Sequence, residues 1–219
     1  LYSGDTGEKT HNTYPTQWHK IYLDFWKKAR PNGDFVYFTR SGYLGDTQLS
    51  PVTWSGDQNT DWSHGDGLYT VITSGINLGL CGVPYYGHDI GGYVYMKQDD
   101  MKQLFLRWIA IGAFSPIMKT HHGTKPKEMW SFEKDEETLQ IYKKFANIHA
   151  QLFPYMYSLA VQSELTGLPI MTHTYLEHPN DPDTVSINDQ YYLGKNLYVA
   201  PIIEPDTKSR KVILPSFND

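Results

Sequence analysis

Four short apolar runs in this sequence each hand over to polar side chains, and helical spacing fills the stretches between them. Residues 35–39 read as a fully buried strand and lead to Arg40, 51–54 lead through a glycine to Asp57, 83–88 lead to Asp89, and 115–118 lead to Lys119, Thr120 and His121. Apolar residues recur at helical spacing over 17–29, where Trp18, Ile21, Tyr22, Phe25 and Trp26 share a side, over 67–80, where Gly75 and Gly79 weaken the helix signal, and over 99–113, with Asp99 or Asp100 as the N-cap. A long helical region over 133–167 is expected to kink at Pro154. Strand alternating with helix builds a parallel sheet or barrel with helices outside. In a (β/α)₈ barrel the C-terminal strand ends converge on one face, and that face carries the active site. The strands are too few for eight, so the expected fold class is α/β, the C-terminal half of a (β/α)₈ TIM barrel.

After His178-Pro179-Asn180-Asp181-Pro182 the texture changes. Residues 191–194, 197–203 and 210–214 read as strands with turns and no helix between them. The expected division is a half-barrel over 1–182 and the start of an all-β sandwich over 183–219. The chain opens at Leu1 without a Met and stops just after the last strand-like run, so it reads as an internal piece of a longer protein. The first half of the same barrel is its expected partner.

The stretch Trp54-Ser55-Gly56-Asp57-Gln58 carries the clearest chemical signal. A carboxylate follows a flexible glycine at a strand end, between Trp54 and Trp62. An apolar wall disfavours a carboxylate's charge, which suits a proton donor. Aromatic residues make up 15% of the chain, with 17 Tyr and 6 Trp, and aromatics in loops suit flat ligands with apolar faces, sugars among them. Net charge is −5 with scattered signs, which argues against a nucleic-acid surface. No apolar run reaches the length of a membrane span and no signal peptide is visible. Cys81 stands alone, which excludes an intramolecular disulfide and assigns no compartment, the low cysteine content slightly favouring the cytoplasm. His121 and His122 are adjacent, but neighbours on a strand point to opposite faces, so they do not share a metal ion. No metal and no cofactor is expected.

Asp5, Arg40, Asp57, Asp89 and His121 thus each follow a strand or a candidate strand. Several carboxylates with Arg, His and Trp, without a phosphate loop or metal motif, fit glycoside hydrolysis. That chemistry needs a low-pKa carboxylate and a raised-pKa acid across the scissile bond.

The ordered motifs resemble glycoside hydrolase family 31, the retaining α-glycosidases that include α-glucosidases, α-xylosidases and sulfoquinovosidases. Asp5-Thr6-Gly7-Glu8 is similar to the family's nucleophile motif, and His11-Asn12-Thr13-Tyr14 to the segment that follows it. Arg40-Ser41-Gly42-Tyr43 and Trp54-Ser55-Gly56-Asp57 match the Arg and acid/base motifs, while Asp89-Ile90-Gly91-Gly92-Tyr93 and Met118-Lys119-Thr120-His121 match two sugar-site motifs. The resemblance implies Asp5 as nucleophile and Asp57 as acid/base, with carboxyl groups about 5–5.5 Å apart. It implies Arg40, Asp89 and His121 on sugar hydroxyls, Trp54 and Tyr93 as walls of the site, and Glu8 behind Asp5. Lys119 stands where Arg is frequent. Gly56-Asp57-Gln58, Asp61-Trp62-Ser63 and Tyr93 after two glycines lean toward the sulfoquinovosidase branch, with α-glucosidase and α-xylosidase close beside it. The implied function is an exo-acting retaining α-glycoside hydrolase with a carbohydrate substrate. Transglycosylation by the same site and an inactive carbohydrate-binding homologue are the alternatives, separated from it by product analysis and by substitution of Asp57.

Overall fold

The computed structural model describes residues 4–216. In chain order the elements are α1 (Gly7–Thr10), α2 (Thr13–Ala29), β1 (Phe38–Thr39), β2 (Val52–Trp54), α3 (Leu68–Leu80), β3 (Tyr85–Ile90), α4 (Met101–Ala113), β4 (Ile117–Thr120), α5 (Glu136–Gln151), α6 (Phe153–Thr166), β5 (Met171–Thr172), α7 (Thr174–Glu177), β6 (Tyr191–Leu193) and β7 (Leu197–Val199). Strands β1 to β4 form one parallel sheet in the order β1-β2-β3-β4. Parallel neighbours need long crossovers, and α3 and α4 supply them between β2, β3 and β4. The α/β half-barrel expectation holds. No helix among the described residues is long and apolar enough to cross a membrane.

The core lies between this sheet and its crossover helices. Val71, Ile72 and Ile76 of α3 and Leu104, Trp108 and Ile109 of α4 are almost wholly buried, so the helical spacing read from sequence is the spacing of the buried faces. Gly75 and Gly79, which weakened the helix signal, sit inside a regular α3. A Cβ on Gly75 would lie 2.5 Å from Met171 Sδ, and one on Gly79 2.7 Å from the Met171 carbonyl oxygen. The two glycines are therefore a groove that seats β5, and packing outweighs their helix cost of about 1 kcal/mol each.

Three expectations need correction. The run 35–39 is not a buried strand: only Phe38–Thr39 pair, Phe38 is 50% exposed and Val36 70%. β1 ends the strand order, so its outer edge has no strand partner among the described residues, while Phe35 and Tyr37 before it pack on Trp26 and Tyr22 of α2. The long helix does not kink at Pro154 but divides into α5 and α6 at Leu152, with Pro154 in the first turn of α6, where its missing N–H costs nothing. Asp100, one of the two residues expected there, does stand at the N-cap of α4, and its carboxylate accepts the Trp62 indole N–H at 2.6 Å in place of a side-chain cap bond. Residues 210–214 form no strand. Arg210 instead reaches Asp189 and the Pro201 carbonyl, and Tyr198 donates to the Ile213 carbonyl, so side chains and not a ladder hold the segment.

The second sheet is antiparallel, in the order β5-β6-β7, and draws Met171–Thr172 from before residue 182. Tyr191 of β6 is fully buried and donates its hydroxyl to the Phe114 carbonyl just past α4, at 3.0 Å. The second sheet is thereby built into the core of the first.

Candidate active site

Parallel register brings the ends of β2, β3 and β4 side by side. Trp54 pairs with Gly87, and Asp89 stands directly opposite Lys119. Asp89 lies inside β3, not after it as expected, because β4 runs on to Thr120 and extends the ladder. Its side chain is fully buried, a position that a carboxylate holds only with partners. Both oxygens have one: the Trp54 indole N–H donates to Oδ2 at 3.2 Å, and the Lys119 ammonium pairs with Oδ1.

The Trp54 ring then carries two cations. Lys119 Nζ lies 5.1 Å and the Arg40 guanidinium carbon 5.2 Å from its centroid, both within cation–π range. Arg40 continues to Asp57, with Nη2 3.4 Å from Oδ2. One connected set therefore joins Asp57, Arg40, Trp54, Lys119 and Asp89 across four strand ends. Asp57 thus has the Arg40 cation beside it, while Trp54 faces Arg40 and Lys119 and the Trp62 indole is bound to Asp100.

The turn that presents Asp57 requires Gly56, whose φ of +96° is left-handed. Tyr93 and His121 form a second pair, with ring centroids 5.3 Å apart. His121 is exposed and lines a cavity of about 240 Å³ with Trp130 and Phe132. Asp5 is exposed just ahead of α1, and Glu8 is exposed within α1. A larger cavity of about 1110 Å³ lies between α2 and β1, walled by Trp18, Tyr22, Trp26 and Phe38. Of the connected set described above, Arg40 lines this cavity.

Two contributors escaped the sequence reading. Lys119 was noticed only as a departure from a motif. Aligning the ends of β3 and β4 would have set it against Asp89. His88, the residue before Asp89, is fully buried on the opposite face of β3. Its Nδ1 accepts the Trp108 indole N–H at 3.1 Å, so Nε2 carries the proton and donates to Ser115 Oγ at 3.1 Å. Ser115 in turn donates to the Ile111 carbonyl at 2.8 Å. Burial, assisted by the Lys119 charge, pushes the His88 pKa down to about 3.

Comparison with known proteins finds relatives along the whole of the chain. A sulfoquinovosidase from Escherichia coli K12 is 33% identical over 219 residues, and one from Agrobacterium fabrum is 32% identical over 220. Each alignment covers 100% of this chain, which spans about a third of those relatives, 32% and 33%. The solved structure of a family 31 sulfoquinovosidase from E. rectale, in complex with an aza-sugar inhibitor, superposes with a TM-score of 0.89 at 31% identity, over 94% of this chain and 31% of that one. The glycosyl hydrolases family 31 TIM-barrel domain matches residues 2–159, and the glycosyl hydrolase family 31 C-terminal domain matches residues 167–218. Parallel strand ends bearing the site, a second sheet grown onto their core, and both domain matches in chain order lead to one assignment: this chain belongs to glycosyl hydrolase family 31.

Proposed function

We propose that the chain supplies the catalytic carboxylates and part of the sugar site of a retaining exo-acting α-glycoside hydrolase. The supporting observation is the connected set Asp57–Arg40–Trp54–Asp89–Lys119 at adjacent strand ends, where barrel enzymes carry their chemistry. Asp5 attacks the anomeric carbon as Asp57 gives its proton to the leaving oxygen, and the glycosidic C–O bond breaks. Asp57, now a base, takes a proton from water; the water oxygen bonds to the anomeric carbon and Asp5 leaves as carboxylate. Dividing one difficult displacement into two easier ones is the gain. Arg40, Asp89 and His121 hold hydroxyls of the sugar, Trp54 and Tyr93 form apolar walls, and Glu8 stands behind Asp5. The substrate is a terminal α-linked glucose-type sugar, and the two sulfoquinovosidase relatives favour an α-sulfoquinovoside.

The test replaces Asp57 with Ala in the full-length protein and adds azide to aryl α-glycosides, glucosides and sulfoquinovosides in separate arms. Loss of hydrolysis with formation of an α-glycosyl azide is expected, since azide needs no general base. Unchanged hydrolysis would remove Asp57 from the acid/base role.

A further inference from the structure

Gln58, next to Asp57, is 3% exposed, unusual for a polar residue in a loop after a strand. Its amide is fully engaged. Ser55 Oγ donates to Gln58 Oε1 at 3.0 Å, and Gln58 Nε2 donates to the Ser55 carbonyl at 3.1 Å. These two bonds run in opposite directions between the same two residues and bracket Gly56 and Asp57. Ser55 is itself anchored, its N–H donating to the Gly87 carbonyl of β3 at 3.1 Å. The Gln58 main-chain carbonyl accepts two more bonds, from Tyr93 N–H at 2.8 Å and Val94 N–H at 3.0 Å. One residue thus ties the Asp57 turn to the end of β2 and to the loop that carries Tyr93, which faces His121.

The turn it brackets has little else to stiffen it. Gly56 has a φ of +96°, and the Arg40 contact with Asp57 is made by a guanidinium side chain that is 58% exposed. An exposed ion pair of that kind contributes little rigidity. We infer that Gln58 is a positioning residue for proton transfer by Asp57, its amide staple fixing where the carboxyl meets the leaving oxygen. This rests on the acid/base reading of Asp57. A misplaced acid harms only steps that need the proton, because a small displacement of a reacting group lowers its rate sharply.

That selectivity is the test. In the full-length protein, Gln58→Met keeps the volume and removes both staple bonds, and Ser55→Ala removes one. Each variant is assayed by kcat/KM, which reports the glycosylation step, on an alkyl α-glycoside and on a dinitrophenyl α-glycoside of the same sugar. The alkyl alcohol leaves only if protonated; dinitrophenolate leaves without help. Gln58→Met is expected to lose about 10- to 100-fold on the alkyl substrate and less than about 3-fold on the dinitrophenyl one, a part of the full acid contribution. Ser55→Ala is expected to shift the ratio the same way by less, and it carries the test if Gln58→Met does not fold. Equal losses on both substrates would mean that Gln58 serves the fold alone, and the inference falls. Asp57→Asn, run in parallel, separates the two readings. If it shows no leaving-group dependence, the acid/base role of Asp57 has failed; if it does and the Gln58 and Ser55 variants do not, the staple has failed.

Discussion

His88 makes the stability of the β3–α4 unit depend on pH in a way that a single substitution exposes. Native His88 is neutral, with Nδ1 already accepting from Trp108, so a second proton would point at an indole N–H in a fully buried site. Its pKa falls from the ordinary 6.5 to about 3, through burial first and Lys119 second. Between those two values the unfolded chain binds one proton that the native state refuses, so stability rises with pH there. The stabilisation is intact above the unfolded pKa and drains away as pH falls toward the folded one. From pH 7 to pH 5 the loss from this group alone is about 2 kcal/mol, near 30-fold in an opening equilibrium. His173, also pushed down by burial, adds to the slope in the same sense but is common to wild type and variant. Hydrogen exchange of peptides covering β3 and α4, corrected for the intrinsic pH dependence, reads the opening equilibrium directly. His88→Gln cannot titrate and leaves one indole N–H unpaired, so it starts lower by about 1–3 kcal/mol. Its protection should then fall by about 2 kcal/mol less than the wild type's between pH 7 and pH 5. Parallel loss in both proteins would refute the neutral, sequestered His88.

Three further outcomes follow from packing and exposure. Gly79→Ala should destabilise by about 1–3 kcal/mol in urea unfolding, since its Cβ would meet the Met171 backbone, whereas Gly75→Ala meets the movable end of the Met171 side chain and should cost less. Trp54→Phe removes the indole bond to Asp89, leaving a buried carboxylate oxygen without that donor, and should lower kcat/KM by about 10-fold with little change in fold. The 219-residue chain expressed alone should be insoluble or molten, because the β1 edge and the α2 face expose Phe38, Trp18, Ile21 and Phe25 together. A cooperative thermal transition of the soluble chain would contradict this.

What the sequence disclosed divides along physical lines. The buried stripes of α3 and α4 were legible because helical burial repeats locally, and Arg40, Asp57 and His121 were legible because strand ends are marked by where apolar runs stop. The run 35–39 misled because apolar content records what a strand wants to bury, not whether a neighbour covers it. Residues 210–214 end in an apolar, partly β-branched run like a strand, yet a ladder needs a partner in register, and Arg210 takes up the carbonyls of Asp189 and Pro201 instead. Gly75 and Gly79 look like helix weakeners until Met171, about a hundred residues away, fills the groove. Lys119, His88 and Gln58 gain their importance from partners on other strands and loops, and non-local pairing leaves no trace in spacing.

The central claim is that Asp5 becomes covalently glycosylated at a site that Asp57 serves. Incubating the full-length protein with a 5-fluoro α-glycosyl fluoride traps such an intermediate, and peptide mass spectrometry locates it. The account predicts stoichiometric, time-dependent inactivation with the added mass on Asp5. Label on a different carboxylate, or inactivation without any covalent adduct, would contradict it.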